Sequence, residues 1–349
     1  MKTRDLFKKI DYVLKNIYWF VWYDLLSFNF KRVWHLLICM MRHFTLKTPY
    51  AVIIETGNTC NFHCATCPTP HNLIYKRRQP QNMDLEKYKR VIDNIKKYVH
   101  VVYVYNSNEP LLHPDIVEMI KYANASNMHT MISTNCSLLT RDMTEKLLNS
   151  GLGEIRFAFD GLDKDSFEGF RCGGDFETVK HNIEYFCKRR KELKKKRPIT
   201  TLQFILNKLN QNQIIDIKKF TKENFIDKLY IKPFILSEYA YSEDQIKDLS
   251  EKFYPDIDID DEYIVYKKDQ NTLKPIHKYE KCPDVDNVFT VLADGRAVIC
   301  CFDLYGDYVY GEMDKIELWK LWKSEKSINL RNKAKKRGFP LCKICGNIE

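Results

Sequence analysis

The stretch AVIIETGNTCNFHCATC, residues 51–67, runs from an apolar segment into three cysteines within eight positions. AVIIET reads as a buried strand, and Cys60, Cys64 and Cys67 occupy the loop that leaves it, spaced C-x3-C-x2-C. A zinc clip repeats a C-x2-C pair to reach four tetrahedral ligands. Here three thiols stand together with no fourth nearby. An iron-sulfur cluster held by three thiolates keeps one iron open to a ligand that is not protein.

The rest of the composition favours metal over disulfides. The chain has 349 residues, 44% of them apolar, enough for one large catalytic domain with an appendage. It carries twelve cysteines, yet residues 1–10 are charged and no short apolar core leads into a small-residue cleavage site. Disulfide frameworks belong to small secreted chains, so these cysteines are expected to be reduced, in a cytoplasmic protein. The net charge of +10 is concentrated in KRRKELKKKR (188–197), which has eight bases and one acid. A solvated helix end and loop is the simpler reading of that run. No aromatic RNA-binding strand accompanies it, which argues against a nucleic-acid partner.

Residues 1–49 form an aromatic and basic block, IYWFVWYDLLSFNFKRVWHLLICMMRHF at its centre. Its longest uncharged apolar run, IYWFVWY, has seven residues, against the roughly 20 needed to span a bilayer. The block is expected to form an amphipathic helical extension. It packs on the main domain or a second subunit, or it lies on the inner face of the membrane as a peripheral contact. From residue 50 to about 235, AVIIET (51–56), VVYVY (101–105), HTMIST (129–134), EIRFAF (154–159), TTLQFIL (200–206) and KLYIKPF (228–234) read as buried strands. Helical patterns such as 85–99 and 113–126 separate them. Six β/α units predict an α/β fold with a parallel sheet, closed or partly closed as a barrel, whose chemistry sits at the C-terminal strand ends. Residues 236–280 are acidic and irregular and read as a linker. After it, NVFTVL and RAVICC joined by ADG predict a hairpin, and 316–338 a helix ahead of a final CKIC.

With these segments in place the sequence resembles the radical S-adenosylmethionine superfamily. The C-x3-C-x2-C loop after the first strand of a partial (β/α)6, TIM-like barrel is its signature. VVYVYNSNEPLLHPDI (101–116) stands where the family has a Gly-Gly-Glu-like segment that meets the methionine amino group. Asn106, Ser107 and Asn108 replace the glycines there, and Glu109 keeps its place. STNCSLL (133–139) resembles the S-T-N-G segment, which implies cofactor contacts from Ser133 and Asn135. FAFDGLDKDSFEGFRCGGDFETVKHNIE (157–184) resembles a segment of the branch with extra clusters, which implies cofactor or substrate contacts from Asp160 and Arg171. Thr66 departs from the aromatic residue usual before the third cysteine, and Phe62 or His63 is the expected substitute.

Cys282, Gly295, Cys300 and the pair Cys342-x2-Cys345 resemble the twitch domain, the shortened form of the SPASM domain. This implies a hairpin-plus-helix domain over 281–349 with four thiolates around a second, auxiliary [4Fe-4S] cluster. A structural zinc in the same four thiols is the alternative. Cys301, next to Cys300, is expected to face away, and Cys39, Cys136, Cys172 and Cys187 to be small buried residues. The resemblance further implies S-adenosylmethionine at the open iron, its reductive cleavage to a 5′-deoxyadenosyl radical, and a flavodoxin- or ferredoxin-type reductant. The expected reaction is hydrogen abstraction and oxidation of a sugar, cyclitol or related polar molecule. The alternatives are a lipid or lipid-linked saccharide at the membrane, or a ribosomally made peptide. His277, Asp284 and Asp294 lie near the auxiliary ligands in sequence, but no catalytic base is assigned.

Overall fold

The computed structural model describes residues 25, 29–69, 73–236, 241–256, 266–269, 272–276, 281–282, 284–343 and 345. The six expected strands are present: β1 (Ala51–Ile54), β2 (Val101–Tyr103), β3 (His129–Thr134), β4 (Glu154–Ala158), β5 (Ile199–Ile205) and β6 (Lys228–Lys232). They pair in parallel in the order of the chain. Parallel strands need crossovers, supplied here by α2 (Leu85–Ile95), α3 (Ile116–Ala125), α4 (Arg141–Leu148), α5 (Lys164–Phe170), α6 (Phe176–Glu192) and α7 (Ile214–Glu223), the fifth and sixth both between β4 and β5. Each helix that starts on a good cap shows it: Asp84, Thr140, Asp163 and Asp175 each accept a backbone N–H three residues on. Val52, Ile54, Tyr88, Val91, Ile132, Phe157 and Phe204 belong to one continuous buried core between sheet and helices. Among the described residues the two edges of the sheet, β6 and β11 (Val309–Glu312), do not pair with each other.

The C-terminal hairpin is not a separate layer. β9 (Val288–Val291) lies parallel to β1, Ala51 opposite Val288 and Ile54 opposite Val291. β10 (Arg296–Val298) returns antiparallel through the turn at Gly295, whose φ of +96° suits glycine, and β11 pairs with β10. The barrel sheet and the hairpin are therefore one nine-stranded sheet among the described residues. At the junction, Arg78 pairs with Glu55 and donates to the Leu304 carbonyl (2.8 Å), while the Ala293 N–H donates to Glu55 (2.9 Å).

Several sequence expectations change. The stretch expected as an irregular linker holds α8 (Glu243–Phe253), opened by a reciprocal cap between Ser242 and Gln245, and the antiparallel pair β7 (Tyr266–Asp269) and β8 (Thr272–Pro275). The expected single helix over 316–338 is two, α9 (Leu318–Lys323) and α10 (Glu325–Lys335). Ser324 takes an extended backbone conformation and caps the second helix, which interrupts the first. A short α11 (Pro340–Lys343) follows. The basic run is not wholly solvated: Arg190 is buried against Asp227 and the carbonyls of Pro198 and Phe225.

Of the N-terminal block, α1 (Phe30–Leu46) is described, and 1–24 and 26–28 lie outside the described residues. One face of α1 packs on the barrel at the N-terminal end of β2 and β3. His35 donates from Nε2 to the Lys96 carbonyl (2.6 Å) and meets His100 Nδ1 (2.9 Å). Arg42 donates to the Lys97 carbonyl, and the Trp322 indole donates to the Lys47 carbonyl (2.8 Å). No helix among the described residues is long and apolar enough to cross a membrane.

The Glu55–Arg78 pair is almost fully removed from water, with side-chain exposures of 0% and 2%. Arg78→Ala leaves a buried carboxylate without its counter-ion and is expected to lower the unfolding free energy by about 3–5 kcal/mol, measured by chemical denaturation.

Candidate active site

The candidate residues gather at the C-terminal ends of β1 to β4. The cysteine loop leaves β1 and is clamped against the segment after α5: the His63 N–H donates to the Cys172 carbonyl (2.7 Å) and the Ala65 N–H to the Phe170 carbonyl (3.0 Å). Phe62 anchors the loop from inside. It is 1% exposed, and a Cβ on Gly174 would come within 2.8 Å of its ring, so glycine is required beneath it. Phe62 is thus a core residue and not the expected aromatic cover for the cofactor, while His63 is exposed.

Burial pushes the Cys60 thiol up to about 12 and that of Cys64 to about 11, and Cys67 is raised for the same reason. The three thiols lie on one short loop and act on one another electrostatically. Groups that bind metal as thiolates but stay protonated when free need the metal's charge to ionise them. Positive and polar donors already face the sulfurs. Arg171 Nη1 lies 3.6 Å from Cys64 Sγ, the Phe62 N–H 3.5 Å from Cys60 Sγ, and Asn135 Nδ2 4.0 Å from the same sulfur. Hydrogen bonds to the sulfurs are one way in which a protein sets the potential of an iron-sulfur cluster.

Asp160, fully buried after β4, pairs with Arg171 and accepts the Ile205 N–H (2.5 Å) at the end of β5. It thereby aims the guanidinium at Cys64. Asn135 follows β3. Its N–H donates to Glu109 (2.7 Å), its amide to Asn61 Oδ1 (3.0 Å), and its Oδ1 accepts from the Ser137 hydroxyl (2.7 Å). Ser133 lies on β3, half-buried and opposite Arg156 of β4. Glu109 is turned inward: it accepts from the Leu111 N–H (3.0 Å), the Thr134 hydroxyl (2.7 Å) and the Asn135 N–H. It joins the exits of β2 and β3 from below the site. Asn106 Nδ2, in the glycine-replaced segment, is buried without a hydrogen-bond partner among the described residues. An unused buried amide donor in this segment fits a bound cofactor carrying a carboxylate.

At the second group, the Cys342 thiol, pushed up to about 11 by burial, feels Cys282 and Cys345, and the partly exposed Cys300, its thiol also raised by burial, feels Cys301 and Cys345. Each expected ligand thus has another of the set in its electrostatic neighbourhood, and Arg337 acts on Cys282 and Cys342. Among the described residues no three His, Cys, Asp or Glu side chains are close enough to hold a single metal ion. Asp294 is engaged with Arg296 in the hairpin turn, and His277 lies outside the described residues. Cys39, Cys136 and Cys187 are buried as expected. Cys172 is not: it is partly exposed, and its carbonyl holds the cysteine loop. Tyr241 was not singled out from the sequence. It is buried, with Cys67, Cys64 and Tyr305 in its electrostatic neighbourhood. Its lone position after β6, outside any motif, offered no sequence signal.

Burial raises the Glu109 carboxyl to about 7 from an ordinary 4.5, with its three donors opposing the rise. The folded chain then holds that proton more tightly than the unfolded chain. The contribution of Glu109 is fullest below the ordinary value and is lost as the pH rises through about 7. In the metal-free protein, the stability of wild type relative to Glu109→Gln is expected to fall by about 3 kcal/mol between roughly pH 4 and pH 8, read from denaturation midpoints.

Known proteins share this arrangement. The description "Radical SAM superfamily" matches residues 54–221, and "Iron-sulfur cluster-binding domain", the SPASM domain, matches 282–346. The tungsten-containing aldehyde ferredoxin oxidoreductase cofactor-modifying protein of Pyrococcus furiosus is 22% identical over 323 residues, 84% of this chain and 86% of that one. The PqqA peptide cyclase of Bradyrhizobium diazoefficiens is 26% identical over 130 residues, 36% of this chain and 33% of the cyclase. The structure of Streptococcus suis SuiB bound to S-adenosylmethionine superposes with a TM-score of 0.61 at 18% identity, covering 88% of this chain and 74% of SuiB. Strand order, a three-thiol loop at the strand ends and both domain matches agree: the chain is an enzyme of the radical S-adenosylmethionine superfamily, with S-adenosylmethionine and a [4Fe-4S] cluster as cofactors and a SPASM domain for auxiliary cluster binding.

Proposed function

We propose that the enzyme oxidises a polar small molecule, a sugar, cyclitol or similar metabolite, and passes the released electron to the auxiliary cluster at Cys282, Cys300, Cys342 and Cys345. Bound at the iron left open by Cys60, Cys64 and Cys67, S-adenosylmethionine supplies the hydrogen-abstracting chemistry when a flavodoxin- or ferredoxin-type protein provides the electron. Four thiolates would leave no iron of the second cluster open, which suits electron transfer better than substrate binding.

The observation that carries this reading is that the segment after Cys300 and Cys301 folds back onto the barrel beside Glu55, at the exit of β1. The chain leaving Cys300 and Cys301 turns back so that Leu304 binds Arg78 and Tyr305 lies against Arg77, 4.7 Å from guanidinium to ring centroid. Burial raises the Tyr241 hydroxyl above its ordinary range, with Cys67, Cys64 and Tyr305 adding to the rise. In this reading Arg171, held by Asp160, steadies the charge on Cys64. Asn135, held by Glu109, fixes the other side of the loop. Tyr241 closes the site against water.

Peptide modification is the second reading, favoured by the match to a PqqA peptide cyclase over a third of each chain. The test is anaerobic reconstitution with iron and sulfide, followed by S-adenosylmethionine and dithionite. About eight irons per chain and release of 5′-deoxyadenosine are expected, on the basis of two four-iron clusters. Cys342→Ala/Cys345→Ala is expected to keep nucleoside release and lose the oxidised product, seen by mass spectrometry as loss of the two-hydrogen mass decrease. About four irons plus one zinc would refute the auxiliary-cluster assignment. A mass change confined to peptides in a substrate screen would replace the small-molecule reading with the second one.

A further inference from the structure

The face of α1 turned away from the barrel is apolar along its whole length. Phe30, Trp34, Leu37, Met41 and Phe44 recur at steps of four and three, and all are exposed, Trp34 by 66% and Phe44 by 60%. This is the spacing of a single helical stripe, about 25 Å long for a helix of 17 residues. The opposite face, Arg32, Leu36 and Cys39, is the one the barrel buries. Isolated surface leucines need no explanation, but a continuous aromatic stripe does.

Two further observations say what covers it. The stripe does not stop at the helix. Arg42 lies 5.6 Å over the Tyr98 ring, Tyr98 stacks on Trp319 at 6.3 Å, and Lys323 lies 5.1 Å over Trp319, so the aromatic surface continues onto α9 with bases along it. The charge of the segment is predominantly basic. α1 contains Lys31, Arg32 and Arg42 and no acid, and residues 1–49 hold nine bases against three acids. Tryptophan and phenylalanine on one face with a basic border are the features of a helix that lies in the interface of an anionic bilayer.

We propose that α1 and the adjoining Trp319 surface dock this enzyme on an anionic lipid surface. The docking face is at the N-terminal ends of the strands, because α1 is fastened to Lys96, Lys97 and His100, just ahead of β2. Cys60, Glu109, Asn135 and Asp160 all follow C-terminal strand ends, so the candidate active site opens at the far end of the strands from the lipid side, roughly 10–20 Å along them at about 3.3 Å per residue. The contact is a tether. The substrate reaches the site from the aqueous side, which disfavours a lipid buried in the same bilayer.

The experiment is co-sedimentation of the full-length protein with phosphatidylcholine vesicles, with and without phosphatidylglycerol, beside light scattering for the oligomeric state. Wild type is expected to pellet with the anionic vesicles. Trp34→Ser/Phe44→Ser is expected to partition at least about tenfold less, from the loss of two buried aromatic side chains. Because both positions are exposed, its circular dichroism should match wild type, and Leu37→Ser/Met41→Ser should repeat the loss. Equal partition of wild type and both variants, or equal binding to neutral and anionic vesicles, would overturn the proposal. So would a wild-type dimer that the substitutions convert to monomer without any vesicle binding, which would make the stripe a contact between two copies.

Discussion

The structure turns on the parallel pairing of β1 with β9 and the buried ion pair that closes it. β1 carries the cysteine loop, and β9 begins the hairpin on which the second thiol group is built. Glu55, at the exit of β1, binds both Arg78 and the backbone of Ala293, so the carboxylate is satisfied from the barrel side and the hairpin side together. Such a pair stabilises little against an apolar alternative, but losing one partner strands a charge away from water. Its role is positional: it ties the exit of the strand that carries the cysteine loop to the start of the hairpin turn.

The same economy governs the first site. The side chains nearest the sulfurs are not free to move, because each is held from behind by another group. Arg171 is held by Asp160, which the β5 backbone fixes, and Asn135 is held by Glu109 and Ser137. Burial favours the protonated form of the free thiols, so their negative charge develops as metal binds. The polar donors then meet a charge for which they are already oriented.

Much of this was legible in the sequence, for a physical reason. Parallel strands in a covered sheet are rich in apolar residues, and all six are legible as short apolar-rich runs, the partly buried edge strand β6 with its lysines least so; the C-x3-C-x2-C spacing that follows the first is legible too. What escaped notice depended on distant partners. Nothing local in NVFTVL says that it will lie beside AVII, because two short apolar runs pair in a register set by the rest of the fold. Arg190 looked like one more base in a basic run until Asp227 was brought to it. Cys172 looked like a buried filler and proved useful through its carbonyl, which carries no side-chain signal. Ser324 broke an amphipathic pattern that the apolar residues on either side would have continued.

The β1–β9 pairing also has a consequence in time. β1 leaves the ribosome among the first strands, at residue 51, yet its second neighbour begins only at residue 288. Until then the strand beneath the cysteine loop is a sheet edge with unpaired backbone groups, and Glu55 lacks its Ala293 donor. Long-range pairings of this kind close late and slowly. A growing chain therefore offers the three thiols of the loop before the sheet under them is complete, and the order of synthesis makes the oldest strand the last to be finished.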